Sequence, residues 1–218
     1  MTIHLIIVGK YQDKKNWPGV WSACFESLSK SEHDICIWND EDIDKILNDD
    51  DQEFCEKYLN KLDIIYKIDY ARYVILEKHG GTYFDMDIEL RMDFLPLVDP
   101  QTTYILEGSM GELVSNAIII TYKGCSIWGF IKDKAKFNII QYFNLAKENS
   151  FNTVKLIGPL FLSKWVANFW NVSSLQKSNK PRIELLGFHQ FNNPLNTLSF
   201  TKHHSTHVWG GNKENMVK

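Results

Sequence analysis

The 218-residue sequence predicts an α/β domain with a mostly parallel central sheet flanked by helices. Three observations predict it. Short apolar runs of strand length recur at residues 3–8, 34–38, 82–84, 104–107, 116–121 and 183–186. Stretches with helical periodicity separate most of them, the alternation that builds parallel sheets. No Pro/Gly/Ser-rich linker and no internal repeat divides the chain, so residues 1–211 read as one domain and 212–218 as a polar tail.

The elements follow in order. Residues 3–8 are apolar and end at Gly9, the pattern of a central strand opening into a loop. A helix is expected near residues 21–29, after the turn Trp17-Pro18-Gly19, and a second strand at 34–38. Residues 39–53 hold eight carboxylates against the single Lys45 and read as a solvated helix–loop surface. Residues 62–79 give the strongest helical pattern, with Ile64, Ile68, Ala71 and Ile75 spaced four, three and four apart. Gly80-Gly81 stops that helix. Thr82-Tyr83-Phe84 then forms a buried strand that delivers Asp85-Met86-Asp87 to its end. Later strands are expected at 104–107, 116–121 and 183–186, and helices at 126–147 and 160–169.

Composition narrows the function. The 44% hydrophobic and 23% charged residues exclude a disordered, collagenous or coiled-coil chain. A net charge of -3 sets nucleic-acid binding well back, because a phosphate-backbone binder is normally basic. Cys24, Cys36, Cys55 and Cys125 lack any Cys-x-x-Cys spacing, which reads as reduced thiols in a cytoplasmic setting. No apolar run approaches the ~20 residues of a bilayer span, and no signal-peptide pattern opens the chain. Peripheral membrane association stays open.

The chemistry centres on Asp85 and Asp87. At i and i+2 on a strand the two carboxylates share a face, and their repulsion is relieved by a divalent cation. Oxygen ligands favour Mg²⁺ or Mn²⁺, whose open positions suit phosphate oxygens and hence a nucleotide or sugar diphosphate. Asp69 and Arg72 lie three apart on the preceding helix. They read either as a local ion pair or as groups aimed at hydroxyls and phosphates. The double glycine would bring both pairs to one cleft at the carboxyl ends of the strands.

Asp69-Tyr70-Ala71-Arg72-Tyr73-Val74-Ile75-Leu76 followed by Gly80-Gly81-Thr82-Tyr83-Phe84-Asp85-Met86-Asp87 resembles the glycosyltransferases with a DXD sugar-binding region, glycosyltransferase family 32. Further landmarks extend the resemblance. Ile3-His4-Leu5-Ile6 with Gly9 is similar to the family's first strand, although Leu5 and Ile7 replace its usual Gln and Trp. Asn116-Ala117-Ile118 resembles the segment beside the donor sugar. Gly158-Pro159 resembles the Gly-Pro element, with Ile157 in place of the common Thr. Thr206-His207-Val208-Trp209-Gly210-Gly211 resembles the terminal His-His-Trp-x-Gly element, with Val208 in place of the second His.

The resemblance implies a GT-A-like fold and transfer of a sugar, with retention, from a nucleotide-diphosphate sugar to a glycan, lipid-linked or protein hydroxyl. It implies Asp87, Asp85 and His207 as ligands of Mn²⁺ or Mg²⁺, and Asp85, Asp87 and Arg72 as catalytic residues. Donor contacts would come from His4, Gly9, Asp69, Arg72, Tyr83, Asp85, Asn116 and Trp209. His203 and His204 read as an exposed polar run. Of Trp17, Trp21, Trp165, Trp170 and Trp209, only Trp209 reads as a stacking face, the others as core. A non-catalytic binding module on a degenerate transferase fold remains an alternative. A phosphatase with an aspartyl nucleophile fits poorly, because Ile88-Glu89-Leu90 follows the pair.

Overall fold

The computed structural model describes residues 1–108, 113–148, 152–173, 181–187, 191 and 199–205, with backbone alone at 170–173. The chain runs β1 (Thr2–Ile6), α1 (Gly19–Ser29), β2 (Asp34–Trp38), α2 (Asp40–Lys57), α3 (Ile64–His79) and β3 (Gly81–Phe84). It continues through β4 (Ile88–Leu90), β5 (Thr102–Glu107), β6 (Val114–Thr121), α4 (Ser126–Gln141) and α5 (Phe143–Glu148). The last described elements are α6 (Thr153–Leu156), α7 (Pro159–Ser173), β7 (Arg182–Leu186) and β8 (Thr201–His203).

Six strands form the central sheet in the order β2-β1-β3-β6-β5-β7. Strand β1 runs parallel to β2 and β3, and β5 parallel to β7, while β6 is antiparallel to both neighbours. The sheet is therefore mostly parallel, as the pattern predicts. Side chains alternate across it. Ile3, Leu5, Ile7, Phe84, Ile118 and Ile120 face a core closed by Trp21 and Leu28 of α1. Ile6, Val8, Tyr83 and Ile119 face the larger core beneath α2, α3, α4 and α7.

Three differences from the expected elements have physical causes. The acidic stretch is an amphipathic helix rather than a solvated surface: α2 buries Ile43, Ile46, Leu47 and Phe54. Asn39 caps it reciprocally with Asp42 (3.0 and 3.3 Å), and Asp50 accepts from Lys132 at 2.8 Å. The helix expected over 126–147 breaks at Tyr142, whose φ of -114° and ψ of 28° separate α4 from α5. Strands β4 and β8, missed in the sequence, form a second, two-stranded antiparallel sheet pairing Ile88 with His203 and Leu90 with Thr201.

Gly80 makes the turn from α3 into β3 possible. Its φ is +65°, and a β-carbon there would stand 2.3 Å from the Lys123 amide nitrogen. Any side chain would clash and be strained, so the double glycine is required where the helix must stop and the strand start. Among the described residues, no helix is long and apolar enough to cross a membrane.

Candidate functional site

The site is built at the carboxyl edge of β1 and β3. Asp85 continues the pairing of β3 with β6, its amide donating to Ala117 O at 2.9 Å. The chain then turns, Ile88 N donating to Asp85 O at 3.1 Å. Asp85 and Asp87 thus converge through a turn, not through strand alternation as expected. The apolar Met86 anchors that turn in the core with 5% exposure.

Helix α3 brings the second half of the site. Asp69 and Arg72 form the local ion pair that the sequence reading offered, and both are buried. Arg72 Nη1 donates to Asp69 Oδ1 at 2.8 Å, and Nη2 donates to Tyr83 Oη at 3.1 Å and Asp85 Oδ1 at 3.0 Å. The guanidinium also lies over the Tyr83 ring, 4.4 Å from its centroid. Tyr83 Oη donates to Asp85 Oδ1 at 2.8 Å, and Asn116 Nδ2 donates to Asp69 Oδ1 at 3.0 Å. One arginine therefore ties the helix to the carboxylate turn.

Charge in this network is set by burial and pairing together. Burial pushes the Asp69 carboxyl up to about 6, against the pull of Arg72 and the amide of Asn116. Burial opposes the Arg72 charge too, but Tyr83, Asp85 and Asp69 together raise its pKa above the ordinary value. Arg72 stays cationic. Its Nε is buried and has no hydrogen-bond partner among the described residues. Gly158 crosses close by: a β-carbon there would stand 2.9 Å from Val154 Cα and 3.3 Å from Asp69 Oδ2.

Strand β8 supplies a group that sequence reasoning missed. His203 is not in an exposed run; its side chain is 20% exposed, and Nε2 stands 3.2 Å from Asp87 Oδ1. Burial lowers its pKa, but the hydrogen bond and charge of Asp87 outweigh this and raise it overall. Asp85, Asp87 and His203 each offer one ligand atom, all within 4.8 Å of one another. His204 turns to Glu89 instead, with Nε2 3.0 Å from Oε2. The signal for His203 was faint: Thr201 and His203 share a face, but nothing local names Ile88–Leu90 as their partner.

The other expected site residues fall differently. Gly9 lies on the same edge, donating its amide to Asp40 Oδ2 at 2.8 Å. His4 does not reach the carboxylates. Its Nε2 is 3.0 Å from Gly80 O, and its Nδ1 accepts from Trp38 Nε1 at 3.1 Å. It lines a cavity with Thr2, Gly81 and Thr121, at the amino edge of the parallel strands. His207 and Trp209 lie outside the described residues. Trp21 is core, and Trp17 packs on Trp21 and Phe25.

The donor set fits a divalent ion. Two carboxylate oxygens and one imidazole nitrogen, from Asp85, Asp87 and His203, stand close enough to serve one cation.

Comparison with known proteins bears on the family and the fold. The model of the glycosyltransferase sugar-binding region containing DXD motif matches residues 18–104. The chain is 32% identical over 156 residues to inositol phosphoceramide mannosyltransferase 1 of Schizosaccharomyces pombe, covering 68% of this chain and 47% of that protein. It is 30% identical over 116 residues to an uncharacterized glycosyltransferase of Acanthamoeba polyphaga mimivirus, covering 45% and 46%. The chain spans about half the length of these curated relatives. The solved PaToxG glycosyltransferase has the same fold, with a TM-score of 0.54 at 18% identity over 80% of this chain and 71% of that one. Spaced motif, sequence relatives and sheet topology converge: the chain carries, over residues 18–104, a glycosyltransferase sugar-binding region containing a DXD motif, is family-32-like in sequence, and is built on a GT-A-like fold.

Proposed function

We propose that this chain is a metal-dependent, retaining hexosyltransferase that moves a sugar from a nucleotide-diphosphate sugar to an acceptor hydroxyl. The observation that carries this is the convergence of Asp85, Asp87 and His203 beside the buried Asp69–Arg72–Asn116 network. Asp85, Asp87 and His203 would hold the ion, and the mixed oxygen and imidazole set favours Mn²⁺ over Mg²⁺. When bound, the ion supplies charge stabilisation for the departing diphosphate.

The chain's own groups position the donor. Asp69 Oδ1 is engaged by Arg72 and Asn116, and we assign Oδ2 to a sugar hydroxyl. Arg72 Nε, buried and without a partner among the described residues, is assigned to a donor oxygen. Tyr83 holds Asp85 in place from below. Gly9 borders the nucleotide at the strand edge, while His207 and Trp209 are assigned to the diphosphate and the donor. His4 is assigned a structural role, pinning Trp38 and the Gly80 turn. In the transfer, the anomeric carbon–oxygen bond to the diphosphate breaks, and the acceptor oxygen bonds to the same face. The acceptor proton passes to the departing diphosphate oxygen. We take residues 1–211 as one catalytic domain and 212–218 as a tail.

The test is hydrolysis and transfer from a panel of nucleotide sugars with added Mn²⁺, the product anomer being read by NMR. Turnover by wild type, lost in Asp87→Ala, with the anomeric configuration kept, supports the reading. Undiminished turnover in Asp87→Ala refutes it. Donor binding without any turnover would instead make the chain a nucleotide-sugar-binding module.

A further inference from the structure

Helices α4 to α7 form one contiguous layer. Asn138 Nδ2 of α4 donates to Leu156 O at 2.8 Å, and Asn152 Nδ2 donates to Leu145 O of α5 at 2.8 Å. Phe130 of α4 meets Trp165 of α7 edge-on at 5.4 Å. Residues 126–173 hold six lysines against two carboxylates, Asp133 and Glu148. With the whole chain at -3, the segment stands at +4 and the remainder at -7.

The lysines divide into two groups. Lys132 is neutralised by Asp50 and Glu77, and Lys136 by Asp51. Lys134, Lys147, Lys155 and Lys164 have no carboxylate within ion-pair reach among the described residues. The same layer exposes Phe137 (60%), Tyr142 (47%), Leu145 (44%), Ile140 (40%), Phe130 (38%) and Leu160 (37%). Cations and rings are interleaved. Lys134 lies 5.4 Å from the Phe130 ring and 5.1 Å from Trp165, and Lys147 lies 5.6 Å from Phe143.

We infer that this face docks on an anionic bilayer surface, its apolar side chains entering the headgroup boundary and its four lysines meeting lipid phosphates and carboxylates. The centre of a protein–protein interface is depleted of lysine, whereas interfacial helices carry lysine beside aromatic and aliphatic residues. The acidic remainder of the chain favours one orientation by repulsion from the same surface. The layer also reaches the sugar-site edge, since Gly158, between α6 and α7, lies against Asp69.

Flotation with vesicles of phosphatidylcholine alone, and of phosphatidylcholine mixed with phosphatidylserine, tests this. Wild type is expected to float with the anionic vesicles alone and to be released as salt rises. Lys134→Gln, Lys147→Gln, Lys155→Gln and Lys164→Gln should each weaken partition roughly fivefold. Phe137→Ser weakens it at unchanged charge. Unchanged melting curves verify that these surface variants still fold. Absence of wild type from both floating fractions, or equal recovery with both vesicles, overturns the inference. So does concentration-dependent self-association of wild type that Phe137→Ser abolishes, which would assign the face to a second copy.

Discussion

Replacing Arg72 with methionine keeps most of the buried volume and removes the charge. Asp69 and Arg72 are 6% and 3% exposed, so the variant strands a carboxylate where water cannot solvate it. Breaking a buried pair by removing one partner costs about 3–5 kcal/mol. For a chain of this size, that lowers the melting midpoint by roughly 6–20 °C, at about 2–4 °C per kcal/mol. Equilibrium urea unfolding and thermal melts would measure it. The deficit should be largest at alkaline pH and shrink on acidification, because protonation of Asp69, already pushed up to about 6, removes the stranded charge. Asp69→Leu added to Arg72→Met should recover part of the loss, giving a coupling of about 1–3 kcal/mol. An Arg72→Met cost below about 1 kcal/mol, or a double variant whose costs simply add, would refute the claim that the two residues act as one buried unit.

Further expectations are as direct. Burial lowers the His4 pKa from 6.5 to about 4, so the neutral ring favours the fold. Its contribution is present above pH 6.5 and is lost as pH falls towards about 4; His4→Gln should therefore destabilise more at neutral pH than near pH 4, by about 3 kcal/mol. The comparison with wild type matters, because Asp69, with its raised pKa, loses stability with rising pH across an overlapping window. Gly80→Ala should cost about 1–3 kcal/mol in urea unfolding, since its φ is +65° and backbone fills the β-carbon position. His203→Ala should weaken Mn²⁺ binding in calorimetric titration by tenfold or more, on the order of 1.4 kcal/mol, while His204→Ala, which removes a partner of Glu89, leaves it within about threefold.

The sheet was legible because its strands are apolar runs bounded by turns, and α3 because its apolar spacing ends at two glycines. The spaced residues Asp69, Arg72, Asp85 and Asp87 were legible for a related reason: a helix, a tight turn and a strand carry them to one edge by local geometry. Long-range pairing was not. Strand β8 is three residues long and finds β4 across more than a hundred positions, so His203 looked exposed. The ion pairs from α2 to α4 were hidden in the same way, because an acidic run does not name its lysines. His4 is a different case: its place in the first strand suggested a donor contact, while its two ring nitrogens are engaged by Gly80 O and the Trp38 indole, partners that local sequence does not name.

The central claim is that Asp85, Asp87 and His203 hold an ion through which a nucleotide sugar binds. A thermal-shift panel of nucleotide sugars, with and without Mn²⁺, tests it most directly. At a ligand concentration about a hundredfold above Kd, binding adds about 2.7 kcal/mol. For a chain of this size that is a rise of roughly 5–11 °C. The account predicts a donor that gives this rise only with Mn²⁺, and gives none in Asp87→Ala. The same rise without metal, or in Asp87→Ala, would contradict it.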